Sequence, residues 1–405
     1  MASVALACAR SGNSQEALRP QGNLVFAAIV GGGVANEKAA CAIAAQIEED
    51  LILQDWPSGR NCGSEAQLAE RFGVGRAVVR EAARILESRH TARMRRGPGG
   101  GLLVATPAIS GVIEAIGRYL AFHGKGEFAE RYHWTIRAAY DRYVALKPHE
   151  DRTSSFALFL QALIEAIDVP AKGLSSGMAL TRPAQGGQSR AGQILRQMME
   201  DLNGEEPQER KLGSEFDLCE RYGADRDALR QAVRVLEFEG IARSIAGRGK
   251  GLMTRVPAPN ALCRLINCHF AATKVAPRDA MDFFKELSME VVALAARNAT
   301  RSDRDQLLAA HRTLLAPEIR LTAMVMQRAE QSQFAVVRDP LVDMLLRCTK
   351  SYSSWSSPLR NPDNQEIGNE YRIETVKVIR AILSGDAAAA AAAQGEKVER
   401  LNSLI

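Results

Sequence analysis

Three arginines recur at four-residue steps in two separate places along the sequence. They are Arg76, Arg80 and Arg84 in the first place and Arg226, Arg230 and Arg234 in the second. Steps of four place side chains along one stripe of a helix. A guanidinium group near the start of such a helix can bind the edge of a guanine with two hydrogen bonds. The first two arginines of each set are therefore candidates for contacts in a DNA major groove.

Apolar residues between these arginines predict the helices that would hold them. The apolar positions are Val79, Ala82, Ala83 and Leu86 in the first place and Leu229, Ala232, Val233 and Leu236 in the second. This spacing predicts amphipathic helices from about Arg76 to Ser88 and from Arg226 to Phe238. A shorter helix precedes each one. The first opens at Ser64, where Gln67 has capping-box spacing, and closes at Gly73. The second opens at Ser214 and closes at Gly223.

A glycine-rich segment follows each arginine-bearing helix. The segments MRRGPGGGLLVATP and IARSIAGRGKGLMTRVP each predict two short strands around a glycine tip. Such a tip can approach a sugar-phosphate backbone closely. The candidate contacts are Arg95, Arg96 and Gly99 in the first wing and Arg248, Gly249 and Lys250 in the second.

The two places are copies of one module. Residues 64–108 and 214–258 align at an offset of 150 residues without a gap, and 20 of the 45 pairs are identical. Each copy is also preceded by a helical pattern. Helix, helix–turn–helix and β-wing make a compact DNA-binding unit. The sequence therefore predicts one such module at residues 37–106 and another at 188–256.

The rest of the chain predicts mainly helices. The predicted order is a flexible tail at 1–36, the first module, a short helical domain at 107–170, a linker at 171–187, the second module, and a helical domain at 257–405 for effector binding or dimerisation. The fold class is therefore mainly α, with two winged modules alternating with all-helical domains. The alanine run at 387–393 should continue a terminal helix, because alanine has the highest helix propensity.

The composition narrows the functional classes without deciding among them. A net charge of +5 is too small to give the whole protein a positive electrostatic field that attracts nucleic acid. Within each module, positive and negative charges are also nearly equal in number. Ten Lys and Arg face nine Asp and Glu at 37–106, and there are twelve of each at 188–256. Seven cysteines without metal-like spacing suggest free thiols in a reducing cytoplasm. No apolar run is long enough for a membrane span, and no enzyme motif is recognisable.

The motifs resemble the GntR family of bacterial transcription regulators. The resemblance is carried by SEAQLAERFGVGRAVVREAARILE with GPGGGLLV, and by SEFDLCERYGADRDALRQAVRVLEFEGI with GRGKG. The segment RDAMDFFKELSMEVVALAARNATRSDRDQL is similar to the opening helix of the helical FadR-type effector domain. The resemblance implies DNA contacts from Arg76, Arg80, Arg226 and Arg230, and from the wings at Gly99 and Gly249.

Three departures from the family pattern qualify that resemblance. Ala66 and Phe216 stand where the family often has an arginine. The second recognition helix begins Asp225-Arg226-Asp227. Because carboxylates repel phosphates, we expect weaker DNA binding from this module. The alternative is that Asp227 holds Arg226 in place. The effector domain lacks the metal-binding Asp and three His of many members. Those positions fall on Gln331, on Ala335 after Phe334, near Thr375 and near Lys397. No metal and no other cofactor are therefore predicted.

The resemblance also implies an effector pocket in the C-terminal helices. The candidates are polar or aromatic residues on otherwise apolar helices: Arg297, Arg347, Tyr352, Trp355 and Tyr371. Ordinary packing or solvated charge explains each of them equally simply. An arginine would suit an organic acid or an acyl ligand.

Two functional hypotheses follow. In the first, the chain is a ligand-responsive regulator that binds a double-stranded operator. Regulators of this type usually dimerise to place two modules on half-sites about one helical turn apart, whereas a tandem chain carries both modules covalently. Whether the chain also forms a homodimer stays open. In the second, the modules no longer read DNA and the chain is an interaction or scaffold protein that pairs with another regulator.

Overall fold

The computed structural model describes residues 29, 38–123, 127–148, 153–168, 190–203, 209–245, 247, 250–356 and 365–404. The predicted linker at 171–187 lies outside the described residues, as do Arg248, Gly249 and all but one residue of the predicted N-terminal tail. The mainly α fold with small antiparallel sheets, predicted from the sequence, is confirmed.

The first arginine set lies in a winged helix–turn–helix unit. Its elements are α1 (Ala39–Leu53), α2 (Glu65–Phe72), α3 (Arg76–Ser88), β1 (Ala92–Arg95) and β2 (Gly101–Val104). The strands pair antiparallel, with Ala92 opposite Val104 and Arg95 opposite Gly101. The predicted capping box at the start of α2 is present, and Gly73 ends that helix with φ +64°.

The second arginine set lies in a unit of the same design. Its elements are α7 (Arg190–Asn203), β3 (Lys211–Gly213), α8 (Glu215–Arg221), α9 (Arg226–Phe238), β4 (Ala242–Ser244) and β5 (Leu252–Thr254). The sheet order is β3-β5-β4. An isolated bridge between Asn61 and Leu103 is the counterpart of β3 in the first unit, because Lys211 pairs with Met253 at the same offset of 150.

Helices follow each unit, as the sequence predicts. The first group is α4 (Ile109–Ala121), α5 (Glu127–Ala145) and α6 (Ser155–Asp168). The second group is α10 (Asn260–Ala272), α11 (Pro277–Asn298), α12 (Arg301–Leu315), α13 (Ala323–Phe334) with a 3₁₀ turn at Ala335–Val337, α14 (Pro340–Ser356), α15 (Gln365–Ser384) and α16 (Ala387–Ser403). The alanine run begins α16, as predicted.

The structural repeat extends beyond the sequence repeat. Helices α4, α5 and α6 begin 151, 150 and 146 residues before α10, α11 and α12, respectively. Helices α5 and α11 pack against each other, and Arg142 of α5 lies 2.9 Å from Glu286 and 2.7 Å from Glu290 of α11. The first helical group is thus a shortened copy of the second, and it packs on its own counterpart.

The buried cores divide the molecule unevenly. One cluster runs from α1 through α3 and α4–α6 into α10, α11 and α14, so the first winged unit shares its core with the helices. The second winged unit has its own core, built around Leu218, Leu229 and Leu236 and joined from outside the unit by Phe122. A third cluster joins α11, α12, α15 and α16. The second unit is therefore the more independent of the two.

His90 occupies a strained position that glycine holds in the second unit. Its φ is +56°, and the matching residue 150 positions later is Gly240, with φ +73°. An L-residue in this region costs about 1 kcal/mol or more, whereas glycine adopts it freely. We expect His90→Gly to raise the free energy of unfolding by about 1 kcal/mol, measured by chemical denaturation. Gly240→Ala should lower the free energy of unfolding by a similar amount. Changes of the same sign in the two variants would contradict this explanation.

Candidate nucleic-acid interface

Local structure holds the first recognition helix, α3, in a defined orientation. The Ser64 hydroxyl accepts a hydrogen bond from the Gln67 backbone N–H, and the Gln67 side chain accepts one from the Ser64 backbone N–H at 2.8 Å. On the inner side, Leu68 of α2 and Val79 of α3 are each about 1% exposed. This apolar anchorage fixes which face of α3 points outward.

The outward face of α3 presents Arg76 and Arg80. Both are exposed. The Arg80 side chain is 64% exposed, and its Nε lies 3.7 Å from Glu65 Oε2, a loose contact at the surface. Arg76 makes no ion pair within the described part of the chain. A duplex could therefore engage both groups without breaking a buried interaction.

The N-terminus of α3 adds a second feature that favours an anion. Its N-cap is Gly75, which has no side chain to satisfy the first backbone N–H groups. Such groups and the positive end of the helix dipole favour phosphate oxygens. The start of α3 thus combines two exposed guanidinium groups with an open helix end.

The second recognition helix, α9, presents its arginines beside more carboxylate groups than α3 does. Arg226 lies 3.9 Å and Arg230 lies 3.1 Å from the same carboxylate, Glu215, although both arginines are largely exposed. The Asp225 carboxylate caps α9 by accepting a hydrogen bond from the Ala228 N–H at 2.8 Å. Asp227 makes no ion pair with Arg226, contrary to the suggestion from sequence. The helix end that is open in α3 is occupied in α9 by a negative charge.

The first wing is held closed at its tip by the chain itself. Arg95 donates from Nη2 to the Gly99 carbonyl at 3.0 Å, and Asn61 donates to the same carbonyl at 3.2 Å. A Cβ at residue 100 would lie 2.3 Å from the Arg95 carbonyl oxygen, so only glycine fits there. Arg96 stays exposed, as does Lys250 of the second wing. Arg95 thus shapes the wing although it is itself exposed, and Arg96 is exposed beside it.

The two recognition helices contact each other directly. Arg234 of α9 lies 2.9 Å from Glu81 of α3 and 2.6 Å from Glu237 of its own helix. The third arginine of the second set is therefore used between the units, whereas Arg84 of the first set pairs with Glu87 at 2.8 Å on its own helix. The two outward arginine pairs consequently lie on adjacent helices.

A buried ion cluster that sequence reasoning missed joins the two units. Arg89 lies just past the end of α3 and its side chain is 2% exposed; Nε lies 2.8 Å from Glu48 Oε1, and Nη1 pairs with Glu239. Its Nη2 donates to the Ala261 carbonyl at 2.9 Å. Burial works against the charge of Arg89, but Glu239 and Glu48 outweigh it and raise the pKa of the guanidinium. Opposite charges at equivalent positions of the repeat, Arg89 and Glu239, were the signal available in the sequence.

The predicted effector residues lie in different surroundings. Tyr352 donates to the Val275 carbonyl at 2.9 Å, and Tyr371 donates to the Met326 carbonyl at 2.6 Å. Trp355 is buried in the core that contains Tyr352, whereas Tyr371 belongs to the third core cluster. Arg297 is exposed. Arg347 pairs with Asp343 and donates to the residue 29 carbonyl. The described contacts do not bring these five side chains together.

A different set of polar residues is buried among the C-terminal helices. Glu330 is 2% exposed; Lys397 Nζ lies 3.2 Å from its Oε1, and Lys350 pairs with its Oε2. Burial favours the neutral form of Glu330, but the two ammonium groups outweigh it and hold the pKa at about 2. The family resemblance places one metal-binding histidine near Lys397. An ammonium group there does not fit a divalent cation, and no cluster of three or more His, Cys, Asp and Glu suited to a metal occurs among the described residues.

Comparison with known families decides the nature of the first unit. Residues 39–101 match the model of the family described as bacterial regulatory proteins, gntR family. This segment is a gntR-family helix–turn–helix domain. The matched range of the gntR-family domain begins with α1 and ends at the start of β2, so it contains Arg76, Arg80 and the first wing tip.

The other comparisons add little to the family match of residues 39–101. One solved structure, a Streptococcus agalactiae GntR, matches with 16% identity and a TM-score of 0.36, over 53% of this chain and 100% of that chain. The chain has no match among curated proteins. Within the described residues, no helix is both long and apolar enough to cross a bilayer.

Proposed function

We propose that this chain is a sequence-specific DNA-binding transcription regulator of the bacterial cytoplasm whose two winged units act as a built-in pair. The observation that carries the proposal is the outward face of α3. Arg76 and Arg80 are exposed at an open helix end, within the segment that matches the gntR family. DNA-binding regulation is the activity that the family description supports, and base reading by these two residues is our proposal.

We propose that the first unit, residues 37–106, contributes more to affinity than the second, residues 188–256. In the first unit, only one loose carboxylate contact competes with DNA for Arg76 and Arg80. In the second unit, Arg226 and Arg230 both face Glu215. Asp225 and Asp227 lie at the start of the same helix. Negative charge near a phosphate lowers affinity, so the second unit should bind more weakly. Covalent linkage compensates in part, because it raises the effective concentration of the second unit at the operator.

We expect the operator half-sites to lie closer together than one helical turn. Separate dimer halves use half-sites about 34 Å apart. Here Glu81 and Arg234 form an ion pair between α3 and α9, and packed helices have axes only about 10 Å apart. The spacing of one turn that separate dimer halves use does not fit this arrangement. Two adjacent half-sites of unequal strength fit it better.

Selection of bound fragments from random duplex DNA tests this arrangement. The selected sites should contain two unequal elements whose centres are separated by well under one turn of DNA, because the ion pair between Glu81 and Arg234 keeps the two recognition helices next to each other. Recovery of two equal elements a full turn apart would contradict the paired arrangement. Recovery of no enriched sequence would contradict DNA reading altogether.

We propose, further, that an organic acid or acyl effector binds among the C-terminal helices. The support is the buried charge around Glu330: the ammonium groups of Lys350 and Lys397 both face this one carboxylate, and the excess positive charge suits the carboxylate of a ligand. Tyr371 belongs to this region, since Lys397 Nζ lies 4.9 Å from the centre of its ring. Thermal denaturation with small carboxylates tests the site: stabilisation of the wild type that is lost in Lys397→Met supports it.

A further inference from the structure

A large aromatic side chain is exposed at the start of α8 in the second winged unit. Phe216 is 68% exposed, although the core of this unit is closed around Leu218, Leu229 and Leu236. Leu218 lies two residues further along α8 and is about 1% exposed. Residues two apart on a helix point to nearly opposite sides, so Phe216 faces away from the core. Most of the apolar area of its ring is therefore available to a partner.

The ring lies beside the outward arginines of the second recognition helix. Glu215, the residue before Phe216, lies 3.1 Å from Arg230 of α9. The first unit has the same local arrangement, because Glu65 of α2 lies 3.7 Å from Arg80 of α3. In both units, the start of the shorter helix thus lies next to the start of the recognition helix. Phe216 consequently belongs to the surface that the second unit turns toward a duplex in the function proposed above.

The first unit has no comparable apolar group at the equivalent position. Phe216 corresponds to Ala66 at the offset of 150 residues, and Ala66 is exposed as well. The two units thus present equivalent arginine pairs beside side chains of very different apolar area. An arginine can bind guanine through hydrogen bonds, but it does not provide an apolar surface for a base. The units therefore differ in the chemistry available for reading bases as well as in charge.

The apolar group that the major groove offers is the methyl group of thymine. Thymine is the only base that carries a methyl group on this edge, and an apolar side chain such as phenylalanine recognises it by direct contact. Burial of one methyl-sized group changes an equilibrium constant by about fourfold. An exposed phenyl ring beside the arginine pair is thus suited to distinguish thymine from the other bases.

Two carboxylates near the ring are engaged in capping helices. Asp217 accepts a hydrogen bond from the Ser214 backbone N–H at 2.9 Å, and Asp225 accepts one from the Ala228 N–H at 2.8 Å. The positive ends of α8 and α9 partly balance these negative charges. The charge that remains weakens contacts with phosphates, but it does not oppose an apolar contact with a methyl group. The ring of Phe216 is thus little affected by its acidic neighbours.

We infer, on the basis of the DNA-binding function proposed above, that Phe216 reads thymine in the weaker half-site by covering its methyl group. Arg226 and Arg230 hold the second unit on the duplex, and the ring beside them contacts the methyl group. The stronger half-site is read by Arg76 and Arg80 without such a contact. Thymine therefore contributes to the sequence of the weaker half-site, and the contact adds affinity without adding salt dependence, because it neutralises no phosphate.

Replacement of thymine by uracil tests the contact directly, because uracil lacks only the methyl group. The probes are duplexes that the full chain selects from random DNA, with uracil placed in one half-site at a time. The wild type should bind about fourfold less tightly for each contacted thymine that is replaced in the weaker half-site. Phe216→Ala should bind the thymine and uracil probes equally. Uracil in the stronger half-site is the matched control, and its effect should be the same for the wild type and for Phe216→Ala.

Two further measurements separate base reading from a structural role of the ring. In gel-shift titrations over a salt series, Phe216→Ala should lower the affinity for the thymine probe and leave the salt slope unchanged. Its free energy of unfolding should equal that of the wild type, because the side chain is exposed. Ala66→Phe places the same ring in the first unit, and selection from random DNA with this variant should enrich thymine in the stronger half-site.

Three outcomes would overturn the inference while DNA binding itself persists. They are a selected weaker half-site without thymine, equal binding of the thymine and uracil probes by the wild type, and a loss on uracil that remains in Phe216→Ala. Each of these would leave the exposed ring to a protein partner instead. Failure of the proposed function gives a different result, because the full chain would then enrich no sequence from random DNA.

Discussion

Replacement of Arg76 and Arg80 together with alanine should abolish specific DNA binding and leave only a weak, salt-sensitive background. Each bidentate contact with a guanine is worth about 1–3 kcal/mol, so the loss of two should weaken specific binding by about 30-fold or more. The effect on folding should be small, because both side chains are exposed and Arg80 has only a loose partner at 3.7 Å. Gel-shift titrations over a salt series measure the affinity and its salt slope.

The matched control for this experiment lies in the second unit. Arg226→Ala with Arg230→Ala removes the equivalent pair, which faces Glu215 and follows Asp225. We expect this variant to lose roughly tenfold in affinity and to keep its preference for the stronger half-site. Equal losses in the two double variants would show that the units are equivalent readers. Unchanged affinity in the α3 variant would remove the basis of the regulator proposal.

Replacement of Arg89 with methionine should cause the largest loss of stability. The change leaves Glu48, which is fully buried, without its partner, and a buried ion pair broken on one side costs about 3–5 kcal/mol. Exposed pairs are worth less than about 1 kcal/mol, so Arg84→Ala, which removes the surface contact with Glu87, is the matched control. Chemical denaturation followed by circular dichroism compares the two.

A second substitution distinguishes the buried charge from the lost packing. The double variant Arg89→Met with Glu48→Gln should recover part of the loss, because the uncompensated carboxylate is gone. A loss in Arg89→Met no larger than in Arg84→Ala would contradict the role given to the cluster. Because Arg89 also pairs with Glu239, the variant should in addition loosen the second unit and broaden the spacing of selected half-sites.

Local features of the winged units could be predicted from the sequence, and the reason is physical. The Ser64 cap, the Gly73 turn and the arginine spacing each act over a few residues, so α2 and α3 follow from local rules. The same holds for Ser214 and Gly223 in the second unit.

Contacts between distant segments could not be predicted in this way. The pairing of Arg89 with Glu239 and of Glu81 with Arg234 depends on how two whole units approach each other. The packing of α5 on α11 is a further example, because it requires matching positions and charges rather than identical residues. Tyr352 and Tyr371 are aromatic residues with a polar group on otherwise apolar helices, but their hydroxyl groups donate to backbone carbonyls of neighbouring segments, which no local pattern reveals.

The most direct test of the central claim, that outward arginines of α3 read bases in the major groove, is methylation interference on the selected operator. Methylation of guanine N7 blocks the bidentate contact of an arginine with that base. The wild type should lose binding when particular guanines of the stronger half-site are methylated, and Arg76→Ala should lose this sensitivity at one of them. Binding that is insensitive to N7 methylation throughout, or an identical interference pattern for wild type and variant, would contradict the claim.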